Sequence, residues 1–230
     1  NFSKKGFSAI TLTVVNTTVR RLILNTNALP SFGSLPAHAP NLTFLSASNN
    51  ELTHQGIRPV TQLSKLVTLI LSLNRIEKIP KSLSKLPQLQ ALILNGNAIT
   101  SLPPLNIPTL NALVLSKNAI RTLSSDALAG LPNLKKLSLS NNQLDVFPDV
   151  SRNPLLKELR LNHNKITNVP KLEENEELAL VDVGSNALKE GWRCVKLVAP
   201  KLKSLSLRGN CPELDVPTDD IHDHYPMLIR

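Results

Sequence analysis

The sequence predicts an α/β solenoid: a horseshoe with a parallel β-sheet on its concave face and short helices, 3₁₀ turns and extended segments on its convex face. The first observation is the stretch Leu110–Ile120, LNALVLSKNAI, with leucines at relative positions 1, 4 and 6, asparagine at 9 and an aliphatic residue at 11. The second is its recurrence, marked by Asn27, Asn50, Asn74, Asn97, Asn118, Asn142, Asn164, Asn186 and Asn210. Their spacings are 23, 24, 23, 21, 24, 22, 22 and 24 residues, too short for helical-hairpin repeats. The third is that the segments between these units vary far more than the units themselves.

Within one unit, an extended segment points Leu113 and Leu115 to one side and Ala112, Val114 and Ser116 to the other. The chain then turns at Ser116 and Lys117. The Asn118 amide is placed to serve backbone groups that a buried turn would otherwise leave unpaired.

One domain is expected over 1–230, because a solenoid grows by stacking and needs no compact core. Residues 1–18 read as an N-terminal cap, in which Ile10–Val15 alternates as a strand should. Residues 19–210 hold nine repeats of 21–24 residues. The second carries a small Ala47 where others carry leucine, which predicts a looser core there. Ile79–Pro87 and Asp126–Pro132 are long enough for one or two helical turns. Leu102–Pro108 carries three prolines and cannot hold a regular α-helix. Residues 211–230 read as an incomplete C-terminal cap, in which Asp219–Arg230 resembles the closing segment of intracellular leucine-rich repeat proteins, a likeness that implies Tyr225, Pro226 and Leu228 fold over the last turn.

Net charge is +9, which favours an acidic partner or nucleic acid. Aromatic residues make up only 3% of the chain, which argues against single-stranded RNA held by base stacking. No apolar run approaches the roughly 18 residues that span a bilayer, so no membrane partner is expected. With only Cys194 and Cys211, the chain lacks the disulfide-bonded caps common in secreted solenoids of this kind, and an intracellular location, cytoplasmic or nuclear, is expected. Sequons at Asn1, Asn16 and Asn41 point the other way, but an asparagine-rich repeat generates such triplets by chance.

Residues 19–210 resemble the short-repeat intracellular leucine-rich repeat family that includes the phosphatase 1 regulator, the spliceosomal A-prime protein and plant intracellular proteins. The phrases Ala91–Asn95, Leu156–Leu161 and Val181–Asn186 carry the likeness to the plant members. The resemblance implies a non-catalytic scaffold and, as one alternative, a regulatory subunit of a protein phosphatase. The motif residues themselves are structural and specify fold rather than function.

Function is expected in the outward-facing strand positions, because the inward ones are committed to packing. In repeats one to five Ile23, Phe44, Ile70, Ile93 and Val114 form an apolar set beside Ala91 and Ala112, a candidate protein-binding surface. Strand propensity alone would also favour isoleucine and valine there. In the later repeats Lys135, Lys136, Lys157, Arg160, His163 and Arg208 form a basic set, with Lys165 and Lys203, opposed only by Glu158 and Asp182. This set is a candidate site for an acidic protein segment or RNA phosphate, the latter implying a ribonucleoprotein or ribosome-assembly factor. A solvated charged face is the plain alternative. His222, Asp223 and His224 with Asp219 and Asp220 have the composition of a metal site but no matching distant ligand pair, so no metal is expected. No glycine-rich phosphate loop or nucleophile elbow is present, and neither catalysis, cofactor nor small-molecule substrate is expected.

Overall fold

A computed structural model describes residues 1–10, 13–188, 199 and 201–210, and the backbone of 228–229. Three-residue strands recur once per repeat: β1 (Arg21–Ile23), β2 (Phe44–Ser46), β3 (Thr68–Ile70), β4 (Ala91–Ile93), β6 (Ala112–Val114), β8 (Lys136–Ser138), β9 (Glu158–Arg160), β10 (Leu180–Asp182) and β11 (Ser204–Ser206). With β12 (Leu228–Ile229) they pair in parallel, each with its sequence neighbour, as one ten-stranded sheet among the described residues. Two shorter strands, β5 (Ser101–Leu102) and β7 (Thr122–Leu123), pair separately in the return segments.

The register is that of the repeat. Leu45 aligns with Leu69, Leu69 with Leu92, Leu92 with Leu113, and Leu113 with Leu137. These leucines are fully buried and form a continuous inner column. Each such side chain contributes on the order of 1.5–3 kcal/mol by leaving water. No repeat could bury its column alone, so stacking and folding are the same event.

The asparagine at position 9 ties neighbouring turns together. Asn118 Nδ2 donates to Leu94 O of the preceding repeat at 3.1 Å and to its own Leu115 O at 2.9 Å, while its Oδ1 accepts from Ile99 N at 3.0 Å. The arrangement recurs at Asn50, Asn142 and Asn186. The residue just before each asparagine is left-handed: φ lies between 52° and 56° at Thr26, Asn49, Leu73, Lys117, Asn141, His163 and Ser185, and is 69° and 75° at Gly96 and Gly209. This twist turns the chain out of the strand so that the asparagine amide can point back under it. Leucine is a poor occupant of that region, where its Cβ meets the following carbonyl. Leu73→Asn should therefore raise unfolding free energy by about 0.5–1 kcal/mol in urea denaturation, because asparagine tolerates the conformation. An unchanged or lower stability would show that the Leu73 contact with Gly96 outweighs the backbone term.

Among the described residues the convex side holds one helical turn, α1 (Leu35–His38), and 3₁₀ turns at Arg58–Gln62 and Lys81–Lys85. The 3₁₀ turn at Lys81–Lys85 fulfils the helical expectation for Ile79–Pro87. Asp126–Pro132 forms hydrogen-bonded turns instead of a helix: Ala127, Ala129 and Leu131 each donate to the carbonyl three residues earlier. Leu102–Pro108 is extended, as its prolines require, with a bridge from Asn106 to Gly130. Ala47 is fully buried in the inner column.

At the N-terminus the expected cap strand Ile10–Val15 is not seen at its described residues. Thr13–Val15 lie outside any strand, and Val14 and Val15 are exposed. The first seven residues instead copy the second half of a repeat. Phe2 N donates to Ile23 O and Lys4 N to Asn25 O, as Leu24 N and Thr26 N do to the next repeat. Lys4 has φ 56°, and Asn27 Oδ1 accepts from Phe7 N at 3.1 Å as Asn50 Oδ1 does from Leu29 N. Alternation misled because consecutive β-branched residues are common in extended loops as well as strands. Cys194, Cys211, Asp219, Asp220, His222, Asp223, His224, Tyr225 and Pro226 lie outside the described residues. Leu228 lies in β12, paired with Leu205.

Candidate interaction surface

Two outward columns run along the concave sheet. One reads Ile23, Ser46, Ile70, Ile93, Val114, Ser138, Arg160, Asp182 and Ser206, and the other Arg21, Phe44, Thr68, Ala91, Ala112, Lys136, Glu158, Leu180 and Ser204. In the first column Ile70, Ile93 and Val114 are consecutive and half-buried. In the second, Ala91 and Ala112 lie directly beside them. These five side chains make one contiguous apolar patch.

Ile23 and Phe44 are set apart from it. Ser46 separates Ile23 from Ile70, and Thr68 separates Phe44 from Ala91. The Arg21 guanidinium lies 3.5 Å from the Phe44 ring centroid and covers it as a cation–π pair. The sequence places all five residues on the same face, and the register divides them into a patch of three and two outliers.

The basic set is also reorganised by the register. Glu158 stands between Lys136 on one strand and Arg160 on its own: Lys136 Nζ is 3.0 Å from Oε2, and Arg160 Nε is 2.6 Å from Oε1. Asp182 is the next residue along from Arg160 in its column. The centre of the later sheet is thus a balanced charge network. Lys135 and Lys157 are exposed in the position just before the strands, where Lys203 follows in repeat nine. His163 is exposed at the left-handed turn, and Arg208 is exposed beyond β11. Glu177 on the same edge accepts a hydrogen bond from Lys201, which together with that ammonium's charge holds its carboxyl below the ordinary range.

A third row escaped sequence reasoning. Asn25, Ser48, Ser72, Asn95, Ser116, Ser140 and Asn162 follow the buried residue at position 6 and line the C-terminal edge of the strands. Several bond across repeats: Ser46 Oγ donates to Asn25 Oδ1 at 2.8 Å, and Ser72 Oγ to Asn95 Oδ1 at 2.7 Å. Ser116 Oγ and Ser138 Oγ lie 2.6 Å apart. The restriction to serine and asparagine at relative position 7 in repeats one to seven, before Gly184 and Arg208 in the last two, was the available signal. The patch is therefore bordered by a polar row that can accept or donate hydrogen bonds.

On the return side, Asn153 and Asn175 are buried where repeats three to six have leucine or isoleucine. Asn153 Nδ2 donates to Leu128 O and Leu131 O at 3.1 and 2.9 Å, and Asn175 Nδ2 to Val150 O and Asn153 O at 2.9 and 3.0 Å. They are structural ties and take no part in the concave surface.

A parallel-stranded solenoid with an open, patterned concave sheet defines the class of repeat scaffold. Profiles described as leucine rich repeat match residues 40–99 and 105–144, and a second such profile matches 152–169, together just over half of the chain. The chain is a leucine-rich repeat protein. Among solved structures it is similar to a leucine-rich repeat protein of Leptospira interrogans, at 26% identity and TM-score 0.71 over 93% of this chain and 48% of that one. It is similar to YopM from Yersinia enterocolitica at 28% identity and TM-score 0.68, over 86% of this chain and 39% of that one. An internalin from Listeria monocytogenes aligns at 25% identity and TM-score 0.66, over 81% of this chain and 55% of that one. The chain spans roughly two fifths to just over half of the length of these proteins. No curated protein matches the sequence. Among the described residues no helix is long and apolar enough to cross a membrane.

Proposed function

We propose that this chain is a non-catalytic scaffold that holds a protein partner on its concave face, within an intracellular complex. The fold is in general a protein-interaction scaffold, and the contiguous patch of Ile70, Ile93 and Val114 with Ala91 and Ala112 carries the finer reading. A solvated sheet face has no need of three consecutive branched aliphatic residues. Their polar border of serine and asparagine suits an extended segment with apolar side chains and free backbone groups, which the charge network of Lys136, Glu158, Arg160 and Asp182 would meet at one end. Capture of partners by the chain and by an Ile70→Asp, Ile93→Asp variant tests this: capture should be lost while the fold persists, and retained capture refutes it.

A second reading, contact with RNA phosphate, is supported by the net charge and by exposed Lys135 and Lys157. Because Glu158 already engages Lys136 and Arg160, the contact would run along the lysine edge. RNA affinity should fall steeply with salt, by about 0.7 log units per log unit of salt for each phosphate neutralised on a single strand. Binding that ignores salt, or survives Lys135→Glu with Lys157→Glu, would rule this reading out.

A further inference from the structure

The convex side carries a feature that neither the concave surface nor the repeat architecture uses. Between the 3₁₀ turns at Arg58–Gln62 and Lys81–Lys85 lies an open cleft of about 420 Å³. Its cationic lining consists of Arg58, Lys78 and Lys81, together with His54. No carboxylate among the described residues lines it. Among the described residues these four side chains enter no ion pair. Nearby Glu51 is occupied by Arg75 at 3.2 Å, and Glu77, next to Lys78 in sequence, is not part of the lining.

The cations stand on stiff supports. Pro59 occupies the first turn beside Arg58, and Pro80 precedes Lys81 at φ −63°. Ile79 is buried beneath them, and Pro103 from the extended return segment helps to close the wall. The side-chain hydroxyls of Ser82 and Ser101 add neutral donors. Three basic side chains lining one cleft without a described counter-charge repel one another, and an anion is the species that relieves the repulsion while accepting from them. The volume lies within the small-ligand range, well below what a folded partner requires.

We propose that this cleft binds a small organic phosphate bearing at least two phosphoryl charges, with its phosphates between Arg58, Lys78 and Lys81 and its organic part against Ile79, Pro80 and Pro103. Pyrophosphate is the probe that tests it, titrated into the full chain by calorimetry. Saturable one-to-one binding is expected, weakened at least tenfold by Arg58→Glu and by Lys81→Glu, since each removes a charge-assisted contact and adds a repulsive one. Lys78→Gln should weaken it less. All three residues are exposed, so circular dichroism should show the variants folded. A Lys4→Glu, Lys5→Glu control, at two exposed lysines outside the cleft and outside either concave surface, changes net charge more than the single cleft variants and should bind as the parent does. Absence of saturable binding at roughly 10 mM pyrophosphate, weaker than any specific site of use, would overturn the proposal. Equal weakening by the control would overturn it too, by showing attraction to net charge alone.

Discussion

Replacing Asn142 by alanine is expected to lower the unfolding free energy by about 3–5 kcal/mol, since several buried backbone groups lose their partner at about 1–3 kcal/mol each. Asn142 is buried and donates to Leu115 O at 3.0 Å and Leu139 O at 2.9 Å, while accepting from Ile120 N at 3.0 Å. None of these groups has water at hand, and alanine can serve none of them. The comparison that isolates the effect is Asn141→Ala, one residue earlier and exposed. It keeps the hydrogen bonds and costs only the left-handed backbone penalty, about 1–2 kcal/mol. Urea denaturation of both variants provides the measurement. If Asn142→Ala were the milder change, the asparagine ladder would not be what couples the turns. Because Asn142 joins repeats five and six near the middle of the stack, the variant should also broaden the transition, as nearest-neighbour coupling is what makes a solenoid unfold as one unit.

The second large effect concerns the concave patch. Ile93→Asp, alone or with Ile70→Asp, is expected to weaken partner capture by roughly 2 kcal/mol or more, or about thirtyfold, the cost typical of a central interface residue. Stability should change by less than about 1 kcal/mol for the single variant, the span of strand propensities, because Ile93 is only half-buried and points away from the leucine column. Ile23→Asp serves as the internal control. It occupies the same column but is cut off from the patch by Ser46, so capture should fall much less. Equal loss at Ile23 and Ile93 would mean that the whole column, not the patch, meets the partner. Unchanged capture at both would move the partner off this face.

Much of the fold was legible because the repeat is written in residue types that have one use each. Leu110, Leu113 and Leu115 can be satisfied only by burial, and Asn118 only by hydrogen bonds. The site was less legible. A residue such as Phe44 reads as exposed and apolar in isolation, yet Arg21 from the preceding strand covers it. Likewise Lys136 reads as part of a basic surface until the register sets Glu158, which also holds Arg160 on its own strand, against it. For Phe44 and Lys136 the deciding neighbour is about 22 residues away on the adjacent strand, and a shift of one residue in register would replace it.

The N-terminal segment illustrates the same limit. Ile10–Val15 has the alternation of a strand, but Phe2–Phe7 makes the backbone bonds of a repeat, with a lysine where asparagine normally stands. The backbone bonds are independent of side-chain identity, so a degenerate half-repeat is invisible to a pattern built on leucine and asparagine. The convex cleft was hidden for a different reason. His54, Arg58, Lys78 and Lys81 belong to two different return segments, whose variability gives no period to read.

By itself, then, the sequence determined the solenoid, the direction of each side chain along its strands and the ladder of asparagines, because these follow from spacing within one repeat. The tertiary structure alone decided which outward residues touch across repeats: the patch of Ile70, Ile93 and Val114, the pairing of Lys136 with Glu158, and the gathering of Arg58, Lys78 and Lys81 with His54 on the convex side. The physical reason is that period and burial are local properties of a repeat, whereas charge balance and apolar contiguity are properties of neighbouring repeats and exist only once the stack has set their register.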